Sequence, residues 1–587
     1  MTESNNVPRR LPLVSPDDTL PTVIACQAGD PQHGVPAGIA LVVDGAGSLI
    51  GTVTDGDVRR ALLRTGDLRT PASELMNANP IAFPEGLSFR EILERLPGEL
   101  ERRGRRDRRF LGKIVTVDER GRPVRVVDYH KLWEQRVAVH RHVVVLGMGY
   151  VGLTLALELA REGFRVTGVD LDESKVTGLA GGRSHVHEIG LPELLRQQIA
   201  NGRFTVSREV PGEGEVYVVA VGTPVHRTAE GNHKADLSFL RAAAESVGRA
   251  LDLGDLVVLR STVPVGTTRE EVLPLLERAS GLRGGADFHL AFAPERTVEG
   301  QALQELRSLP QIIGGLNPDS VEATAALFRD LAPNTVRVES LEAAEFVKLI
   351  NNGFRDLAFA FANEIARMAS AFNIDAIEII RAANQGYPRN PVPMPSPGVG
   401  GPCLTKDPYI LASLGERIGR SRTLSAAGRE VNESMYPFLA DTVLRQLIAV
   451  GKRPEDSVVL LCGLAFKGRP ETSDLRASAG LEIGALLQGR VARLLGHDPV
   501  ARPEEYSLLG LEPVDLSAGF AAADAVLFLT NHELYARLDA FEMTRSLRSP
   551  AIVVDPWKLF PSATIIAAGR AVYVGLGSVL TSKDEGA

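Results

Sequence analysis

The stretch from His142 to Asp170 constrains the fold of this chain more than any other segment. It reads "HVVVLGMGYVGLTLALELAREGFRVTGVD": an apolar strand, a glycine turn, a helical pattern and a second apolar strand. A strand that returns through a helix to a second strand forms a βαβ unit, in which the two strands lie parallel. The segment therefore predicts a parallel sheet that is covered by helices.

The glycines of this stretch indicate what the unit binds. Gly147, Gly149 and Gly152 have the spacing GxGxxG, and Asp170 closes the second strand 18 residues after Gly152. The first glycine makes the tight turn, the second lets backbone N–H groups approach a pyrophosphate, and the third lets the helix pack on the strand. The pattern predicts a dinucleotide site, with FAD as the alternative to a nicotinamide cofactor. Asp170 favours NAD over NADP, because a carboxylate suits a ribose 2′-hydroxyl and repels a 2′-phosphate.

The same alternation of strands and helices continues along the chain. Further apolar strands are "EVYVVAVGTP", "DLVVLRSTVP" and "HLAFAPE", and after Lys452 come "SVVLLCGLAFKG", "AAADAVLFLTNH" and "AIVVDPWK". Between the two groups, the segment that begins "SLEAAEFVKLINNGF" predicts one helix of about thirty residues. The predicted fold class is α/β, with two Rossmann-like doubly wound domains joined by a long central helix. The predicted domains are an N-terminal module at 1–138, an NAD-binding domain at 139–340, a central helical and dimerisation domain at 341–440, and a second sheet domain at 441–587.

The N-terminal module contains an internal repeat of a small α/β unit. "GIALVVDGAG" and "SLIGTVTDGDVRRALL" form one copy, and "LGKIVTVDERGRPVRVVDYHKL" belongs to the other. The stretch "GTVTDGDVRRALL" resembles a CBS-domain pair. The resemblance implies that Thr54 and Asp57 meet the phosphate and ribose of an adenine nucleotide, to which the arginine-rich run 101–109 would add positive charge. The alternative is a docking or oligomerisation module without a ligand.

A glycine-rich turn displays one of the three cysteines. In "SPGVGGPCLTKDP", the glycines and prolines around Cys403 are typical of a turn in which backbone approaches another group closely. The thiol is therefore expected to be accessible, and Lys406 would lower its pKa. An NAD enzyme needs a thiol when it oxidises an aldehyde, since adding the thiolate makes a tetrahedral carbon that can lose hydride. Cys403 is interpreted as the nucleophile of such a step, and a structural loop cysteine is the alternative.

Motifs spread over four hundred residues carry a family resemblance. They are "GMGYVG", "STVPVGTT", "APERTVEG", "EFVKLINNGF", "GVGGPCLTKDP" and "GLAFKGRPETSDLR". From about residue 142 to 575 the chain resembles the UDP-glucose/GDP-mannose dehydrogenase family, whose members oxidise C6 of a nucleotide sugar twice, from alcohol to carboxylate, with two NAD. The resemblance implies that 441–587 binds the nucleotide sugar.

The resemblance also implies roles for single residues. Lys348 would stabilise a developing oxyanion, Asn352 and Asp407 would hold a catalytic water, and Glu295 would handle the water that hydrolyses a thioester. Lys348 and Asn352 lie four residues apart on the predicted helix and so share a face. Thr262 matches an active-site threonine. The remaining implied residues are, for the cofactor, Thr223, Thr262 and Glu299, and, for the substrate, Lys348, Asn352, Gly400, Gly401, Lys467, Arg476 and Arg389, the last reaching the site of a partner subunit.

The sequence constrains the substrate and the cellular location less than it constrains the fold. "PERTVEG" and "GVGGPC" are more similar to the N-acetylhexosamine enzymes of this family than to the glucose enzymes. This resemblance implies a UDP-N-acetylhexosamine, rather than UDP-glucose or GDP-mannose, as the substrate for a surface polysaccharide. A one-step hydroxyacid-type dehydrogenase and a catalytically inert nucleotide sensor remain as rival classes. A net charge of −8 disfavours nucleic acid as a partner, and three cysteines without CxxC spacing favour a reducing cytoplasm and no zinc site. We expect no metal, no membrane insertion, and a homodimer or larger homo-oligomer.

Overall fold

The computed structural model describes residues 11–29, 37–85, 87, 92, 95, 98–99, 102, 113–128, 141–228, 233–389, 391–420, 422–569 and 571–581. The predicted N-terminal boundary at residue 138 and most of the arginine-rich run lie outside these residues. Among the described helices there is none that is both long enough and apolar enough to cross a membrane.

The first large sheet has eight strands and contains the glycine motif. Its strands are parallel except for the pairing of His289–Phe292 with Gln311–Gly315. Three neighbouring strands in its interior, His142–Leu146, Val216–Val219 and Leu256–Leu259, consist mainly of buried valine and leucine, as expected for a sheet between two helical layers. The strands in spatial order are Thr335–Arg337, Gln311–Gly315, His289–Phe292, Leu256–Leu259, Val216–Val219, His142–Leu146, Arg165–Val169 and Phe204–Ser207.

The strand order reverses between His142–Leu146 and Val216–Val219, where chain connections leave toward opposite edges. A crevice opens at such a switch point, beyond the carboxyl ends of the strands. The glycine motif follows the first of these strands, and Thr223 follows the second. The α-helices of this domain are Tyr150–Arg161, Glu173–Ala180, Leu191–Ala200, Ser238–Ala250, Leu273–Ser280, Ala302–Ser308 and Pro318–Phe328.

The central domain is built on two long helices. The first, Leu341–Ser370, is capped by the Ser340 side chain and is called the central helix below; the second, Leu424–Ala449, is called the return helix. The prediction of one helix of about thirty residues is confirmed. Gly353 lies within the central helix and does not interrupt it. A Cβ added at this position would lie 2.6 Å from the Leu411 side chain, so glycine fits the close packing here. The shorter helices are Ala376–Asn384 and Asp407–Ser413.

The second large sheet repeats the order of the first. Starting from Val458–Cys462, two strands lie to one side and four to the other, so this domain is also doubly wound. The predicted fold class is thereby confirmed. The strands in spatial order are Glu512–Pro513, Arg493–His497, Val458–Cys462, Ala525–Phe528, Ala551–Val554, Ala571–Val574 and Val579–Leu580, and the helices are Ala479–Leu487, Pro503–Ser507, Leu516–Ala522, Glu533–Ala536, Ala540–Ser546 and Ser562–Ala567.

The N-terminal module contains two three-stranded sheets with the same topology. In each sheet the first strand pairs parallel with the second, which pairs antiparallel with the third. This shared arrangement fits the repeat inferred from the sequence. The strands are Leu13–Val14, Ile39–Val43 and Leu49–Thr54, then Ala82–Pro84, Lys113–Val117 and Pro123–Asp128, and the helices are Leu20–Gln27, Asp55–Thr65 and Ala72–Leu75.

Candidate active site

The glycine motif has the geometry that a pyrophosphate-binding turn needs. Gly147 has a φ of +90°, and an added Cβ would lie 2.7 Å from the Ala220 carbonyl oxygen. At Gly152 an added Cβ would lie 1.8 Å from the Gly147 carbonyl oxygen, so only glycine lets the helix start this close to the strand. Gly149 faces open space at the N-terminus of helix Tyr150–Arg161, where a phosphate would lie.

Asp170, which follows the second strand, contacts the glycine turn through its carboxylate. Its Oδ2 accepts a hydrogen bond from the backbone N–H of Met148 at 2.9 Å, and Lys175 Nζ lies 3.4 Å from the same oxygen. Its Oδ1 accepts from the backbone N–H of Asp172 at 3.0 Å. The carboxylate is thus held at the end of the crevice where an adenosine ribose would lie.

The crevice opens into a cavity of about 1120 Å³ that is lined by both sheet domains and by the central helix. Gly152 packs behind the cavity, Asp407 is buried beneath it, and Arg389, Thr54 and Asp57 do not line it. The sequence-predicted residues that line it together are Gly147, Gly149, Asp170, Thr223, Thr262, Glu295, Glu299, Lys348, Asn352, Gly400, Gly401, Cys403, Lys467 and Arg476.

Cys403 is exposed to this cavity. Because protein atoms surround the sulfur on its other sides, burial raises the pKa of the thiol, and so does Asp407, while Lys348 and Lys406 oppose the rise. Lys406 therefore acts in the predicted direction but is outweighed. Lys406 Nζ lies 2.6 Å from Asp407 Oδ1, and this negative charge offsets part of the effect of Lys406 on the thiol. Together these effects leave the pKa of the Cys403 thiol above its usual value.

Lys348 projects from the central helix beside this thiol. Its Nζ lies 3.7 Å from Glu295 Oε2, and both side chains are buried. Burial by itself would lower the pKa of Lys348, but Glu295, Cys403 and Asp407 outweigh it and raise the pKa above its usual value. Lys348 therefore carries a positive charge that faces the sulfur, as an oxyanion-stabilising group requires.

Asn352 follows one turn later on the same face. Its Nδ2 donates to Asp407 Oδ2 at 2.6 Å. Asp407 is fully buried at the start of helix Asp407–Ser413, just after the cysteine loop, which we define as residues 396–406. The amide and the carboxylate thus form a pair that can orient a water molecule beside Lys348.

Glu299, Lys467 and Arg476 join the two sheet domains across the cavity. Lys467 Nζ donates to the backbone carbonyl of Glu299, and Arg476 ion-pairs with Asp474 and lies 4.0 Å from Glu299 Oε1. Burial raises the pKa of Glu299 to about 7, helped by Asp474 and opposed by Arg476 and Lys467. Burial likewise lowers the pKa of Lys467 to about 8. Among the described residues, Glu299 Oε2 is buried without a hydrogen-bond partner, so it can accept a hydrogen bond from a ligand.

The glycines of the cysteine loop hold it against the domain of the second large sheet, which is called the third domain below because it follows the NAD-binding and central domains. Gly401 has a φ of +92°, its N–H donates to the Ala477 carbonyl at 3.1 Å, and an added Cβ would lie 2.6 Å from the Phe466 ring. At Gly400 an added Cβ would lie 2.4 Å from the Ala477 carbonyl oxygen. The close backbone approach predicted from the sequence is therefore to Phe466 and Ala477.

Three residues of the cavity wall were missed by sequence reasoning. Tyr150 donates from its hydroxyl to Glu188, and Gly300 N–H donates to the Tyr150 oxygen at 2.9 Å. Arg260 is buried and donates to Gln311 Oε1 at 2.9 Å, and burial lowers its pKa to about 10. Arg355 lies three residues after Asn352 on the helix, a spacing that could have indicated its place in the wall. Tyr150 lies in the motif "GMGYVG" and Arg260 in the strand "DLVVLRSTVP", but nothing in the sequence indicated their hydrogen-bond partners.

The remaining predicted residues lie away from the cavity. Arg389 is exposed, with its guanidinium 5.9 Å from the Tyr387 ring. Thr54 and Asp57 bond to each other: Asp57 Oδ2 accepts from the Thr54 hydroxyl at 2.6 Å and from its N–H at 2.8 Å. This is a capping box at the start of helix Asp55–Thr65. The described part of the chain contains no cluster of three or more histidine, cysteine or acidic residues that could hold a metal.

Comparison with known families assigns the chain. The UDP-glucose/GDP-mannose dehydrogenase family matches in three consecutive parts: its NAD binding domain at residues 141–332, its central domain at 342–434 and its UDP binding domain at 460–562. The chain belongs to this family. The resemblance, the expected class of NAD-dependent UDP-sugar dehydrogenase and the cofactor NAD are thereby confirmed. A CBS domain matches residues 6–64, which contain the first copy of the N-terminal repeat.

Curated relatives align over nearly their whole length. The UDP-N-acetyl-D-mannosamine dehydrogenase of Pyrococcus horikoshii is 33% identical over 414 residues, which is 70% of this chain and 94% of that protein. An NDP-N-acetyl-D-galactosaminuronic acid dehydrogenase of Ralstonia nicotianae is 32% identical over 434 residues, 73% of this chain and 98% of that protein.

Solved structures show the same relationship. A UDP-D-ManNAc dehydrogenase from Pyrococcus horikoshii has a TM-score of 0.66 at 30% identity and covers 74% of this chain and 99% of its own. A UDP-glucose dehydrogenase from Pyrobaculum islandicum has a TM-score of 0.65 at 30% identity and covers 75% of this chain and 98% of its own. The fold alone therefore does not separate the two sugars.

The glycine geometry makes a direct prediction for NAD binding. In a Gly152→Ala variant the new methyl group would displace the Gly147 carbonyl and open the phosphate-binding turn, so we expect NAD affinity to fall at least about tenfold by titration calorimetry. Gly178→Ala is the matched control, because a Cβ there lies 3.5 Å from the Arg183 carbonyl oxygen, an ordinary contact. Equal NAD affinity in the two variants would contradict the assignment.

Proposed function

We propose that this enzyme oxidises C6 of a UDP-N-acetylhexosamine twice, from alcohol to carboxylate, and that Cys403 holds the second intermediate covalently. The observation that carries the proposal is the convergence of Cys403, Lys348, Asn352 and Glu295 on one wall of a cavity whose other end has the geometry for NAD. UDP-N-acetylmannosamine and UDP-N-acetylglucosamine are the preferred sugars; the two curated relatives above, named for N-acetylmannosamine and for N-acetylgalactosaminuronic acid, support an N-acetylated sugar. UDP-glucose and GDP-mannose remain the alternatives.

The residues of the cavity would divide the chemistry between them. Bound NAD would accept one hydride from C6 in each of the two oxidations. Between the two, the Cys403 sulfur would bond to the aldehyde carbon while the C=O π bond and the S–H bond break, and the thiol proton would pass to the carbonyl oxygen to give a thiohemiacetal. The positive charge of Lys348 would stabilise the negative charge that develops on this oxygen during the addition. The second oxidation leaves a thioester on Cys403. Water then attacks the acyl carbon, the carbon–sulfur bond breaks, and a carboxylate and the free cysteine result.

The carboxylates of Glu295 and Asp407 would act on the protons and the water of the reaction. Glu295 would take a proton from the attacking water, and Asn352 with Asp407 would orient water beside Lys348. Overall, one alcohol, one water and two NAD⁺ give one carboxylate, two NADH and three protons. Thr262 lies at the cofactor side of the cavity, where its backbone carbonyl accepts from the Thr223 hydroxyl. Lys467, Arg476, Gly400 and Gly401 would contact the nucleotide sugar.

A panel of sugars tests the function. We expect NADH formation with UDP-N-acetylmannosamine or UDP-N-acetylglucosamine, with two NADH per sugar, and at least about tenfold lower kcat/KM with UDP-glucose and GDP-mannose. Mass spectrometry of the product should show a uronic acid. One NADH per sugar would support the one-step class of dehydrogenase, and no NADH with any sugar would support the inert sensor.

Replacing the nucleophile tests the covalent step. In Cys403→Ser we expect the second oxidation to fall by at least about a thousandfold and the first by less than about tenfold, because only the second uses the sulfur. Single-turnover reactions, quenched and analysed for alcohol, aldehyde and acid, separate the two steps. Formation of acid at the rate of the unmodified enzyme would remove Cys403 from the mechanism. Cys462→Ser is the matched control, since Cys462 is buried in a strand of the third domain.

We also propose that the enzyme is a homodimer or larger homo-oligomer that works in the cytoplasm and supplies a surface polysaccharide. One stripe of the central helix is apolar and exposed, with Ile350 51%, Phe354 73% and Phe361 50% accessible. A second copy of the chain would cover these side chains, and it would bring Arg389 of one subunit toward the cavity of another.

For the N-terminal module we propose regulation by an adenine nucleotide. The first copy of the N-terminal repeat lies within the CBS domain match, and the match to the dehydrogenase family begins only at residue 141. Since Thr54 and Asp57 bond to each other, a nucleotide would have to compete with the capping box or bind beside it. Calorimetry and kinetics of the full-length enzyme with AMP, ADP and ATP test this: we expect a heat of binding and a change in activity of about five- to 150-fold. No heat and no rate change would leave the docking role.

A further inference from the structure

A row of buried polar side chains lies behind the cysteine loop, between the central helix and the return helix. Asp356 and Asn363 come from the first helix, and Arg429 and Asn432 from the second; all four are fully buried. Arg429 Nη1 donates to Asp356 Oδ1 at 2.8 Å, and Asn432 Nδ2 donates to the same oxygen at 2.9 Å. None of the four lines the cavity.

Stability alone does not explain this pair. Removing two charges from water costs several kcal/mol per ion, and apolar residues of similar size often stabilise such a position equally well. Within the described part of the chain, Asp356 Oδ2 and Arg429 Nε are also buried without a hydrogen-bond partner. A buried ion pair with unsatisfied atoms is weak evidence for a stabilising role, so we consider which part of the backbone the network contacts.

The network holds the backbone that leads to the nucleophile. The Val399 carbonyl accepts from Arg429 Nη1 at 3.1 Å and from the Tyr436 hydroxyl at 3.2 Å. Gly398, with a φ of +136°, lies against the Tyr436 ring, which an added Cβ would approach to 2.1 Å. The path from Val399 to Cys403 is only four residues long.

A second contact fixes the start of the loop. Ser396 N–H donates to Asn363 Oδ1 at 2.8 Å, and Asn363 Nδ2 in turn donates to Asn432 Oδ1 at 2.8 Å. On the far side Gly401 N–H is bonded to the Ala477 carbonyl. The loop is thus attached to both long helices before Cys403 and to the third domain beside it.

We propose that Asp356 and Arg429 are positioning residues for the nucleophile, which set the place of the Cys403 sulfur in the cavity through the Val399 carbonyl. This inference rests on the proposed covalent role of Cys403. Bond formation requires reacting atoms in near-contact and aligned, and a displacement of about 1 Å can cost about a hundredfold in rate. The first oxidation does not use the sulfur, so the pair acts on the second oxidation alone.

The test compares the two oxidations in full-length variants. In Asp356→Asn and Arg429→Met we expect the conversion of aldehyde to acid to fall about 10- to 100-fold, while the conversion of alcohol to aldehyde stays within about threefold. Arg429→Lys should recover part of the loss. A merely structural role would lower both steps together, in proportion to the folded fraction, and that result would overturn the proposal, as would unchanged rates in both steps.

Asp524→Asn is the matched control. Asp524 is a buried carboxylate of the third domain, bonded to Lys452 Nζ at 2.7 Å and to the Val458 N–H at 2.8 Å. We expect this variant to lose stability in thermal melts without changing the ratio of the two rates. If Arg429→Met does not fold, Tyr436→Phe removes one hydrogen bond to the Val399 carbonyl and keeps the ring; it should lower the second oxidation about fivefold and spare the first.

A measurement without sugar separates this proposal from the function. The rate at which iodoacetamide alkylates Cys403 should change at least about threefold in Asp356→Asn and Arg429→Met relative to Asp524→Asn, because the sulfur has moved. If Cys403→Ser forms acid at the unmodified rate, the proposed function fails, and the alkylation rates still decide whether the pair positions the sulfur. Equal alkylation rates in all three variants would overturn the positioning role.

Discussion

The buried carboxylate of Glu345 fastens the central helix to the cofactor-binding domain, and the geometry of the site depends on this contact. Glu345 accepts from the N–H groups of Gly266 and Thr268 and from the Thr268 hydroxyl at 2.5 to 2.9 Å. Lys348 lies one turn further along the helix and Asn352 two turns further. A carboxylate that lost these donors would be buried and unsatisfied, so the helix cannot slide without a large cost. The cationic and amide groups of the site are thereby held in register with the NAD crevice.

Charged side chains are concentrated where the first sheet domain, the central helix and the cysteine loop meet. Lys348 from the central helix faces Glu295 from the first sheet domain and Cys403 from the loop between the helices. In a region shielded from water such groups interact more strongly than at the surface, which is why Lys348 stays charged in spite of its burial. The same burial raises the pKa of the Cys403 thiol. The site thus combines a positive charge with a thiol whose pKa is raised, and in the proposed mechanism this thiol acts only at the second oxidation.

Sequence reasoning succeeded where chemistry is encoded within a short segment. The GxGxxG spacing with Asp170 predicted the turn, the crevice and the cofactor, because Gly147 and Gly152 are required by local clashes and Gly149 leaves the helix N-terminus open. The uninterrupted pattern after Ser340 predicted the central helix. Sequence reasoning was less informative about which of several nearby groups a side chain contacts and about how deeply it is buried. Lys406 was expected to lower the pKa of its neighbouring thiol, but Asp407 and the cavity walls outweigh it. Thr54 and Asp57 were assigned to a ligand, and they cap a helix together.

The amino-acid sequence by itself determined the two doubly wound sheets, the long helix between them, the dinucleotide turn and the identity of the candidate nucleophile. These follow from periodicity, turn chemistry and motif spacing, which act over a few to about thirty residues. Only the tertiary structure decided which charges surround Cys403, that Asp407 lies beneath the cavity behind Asn352, and that Arg429 and Asp356 hold the backbone of the cysteine loop. Asp356 and Arg429 are 73 residues apart and meet because two helices pack side by side. Electrostatic and hydrogen-bond effects depend on distance and burial in space, and neither can be read from spacing along the chain.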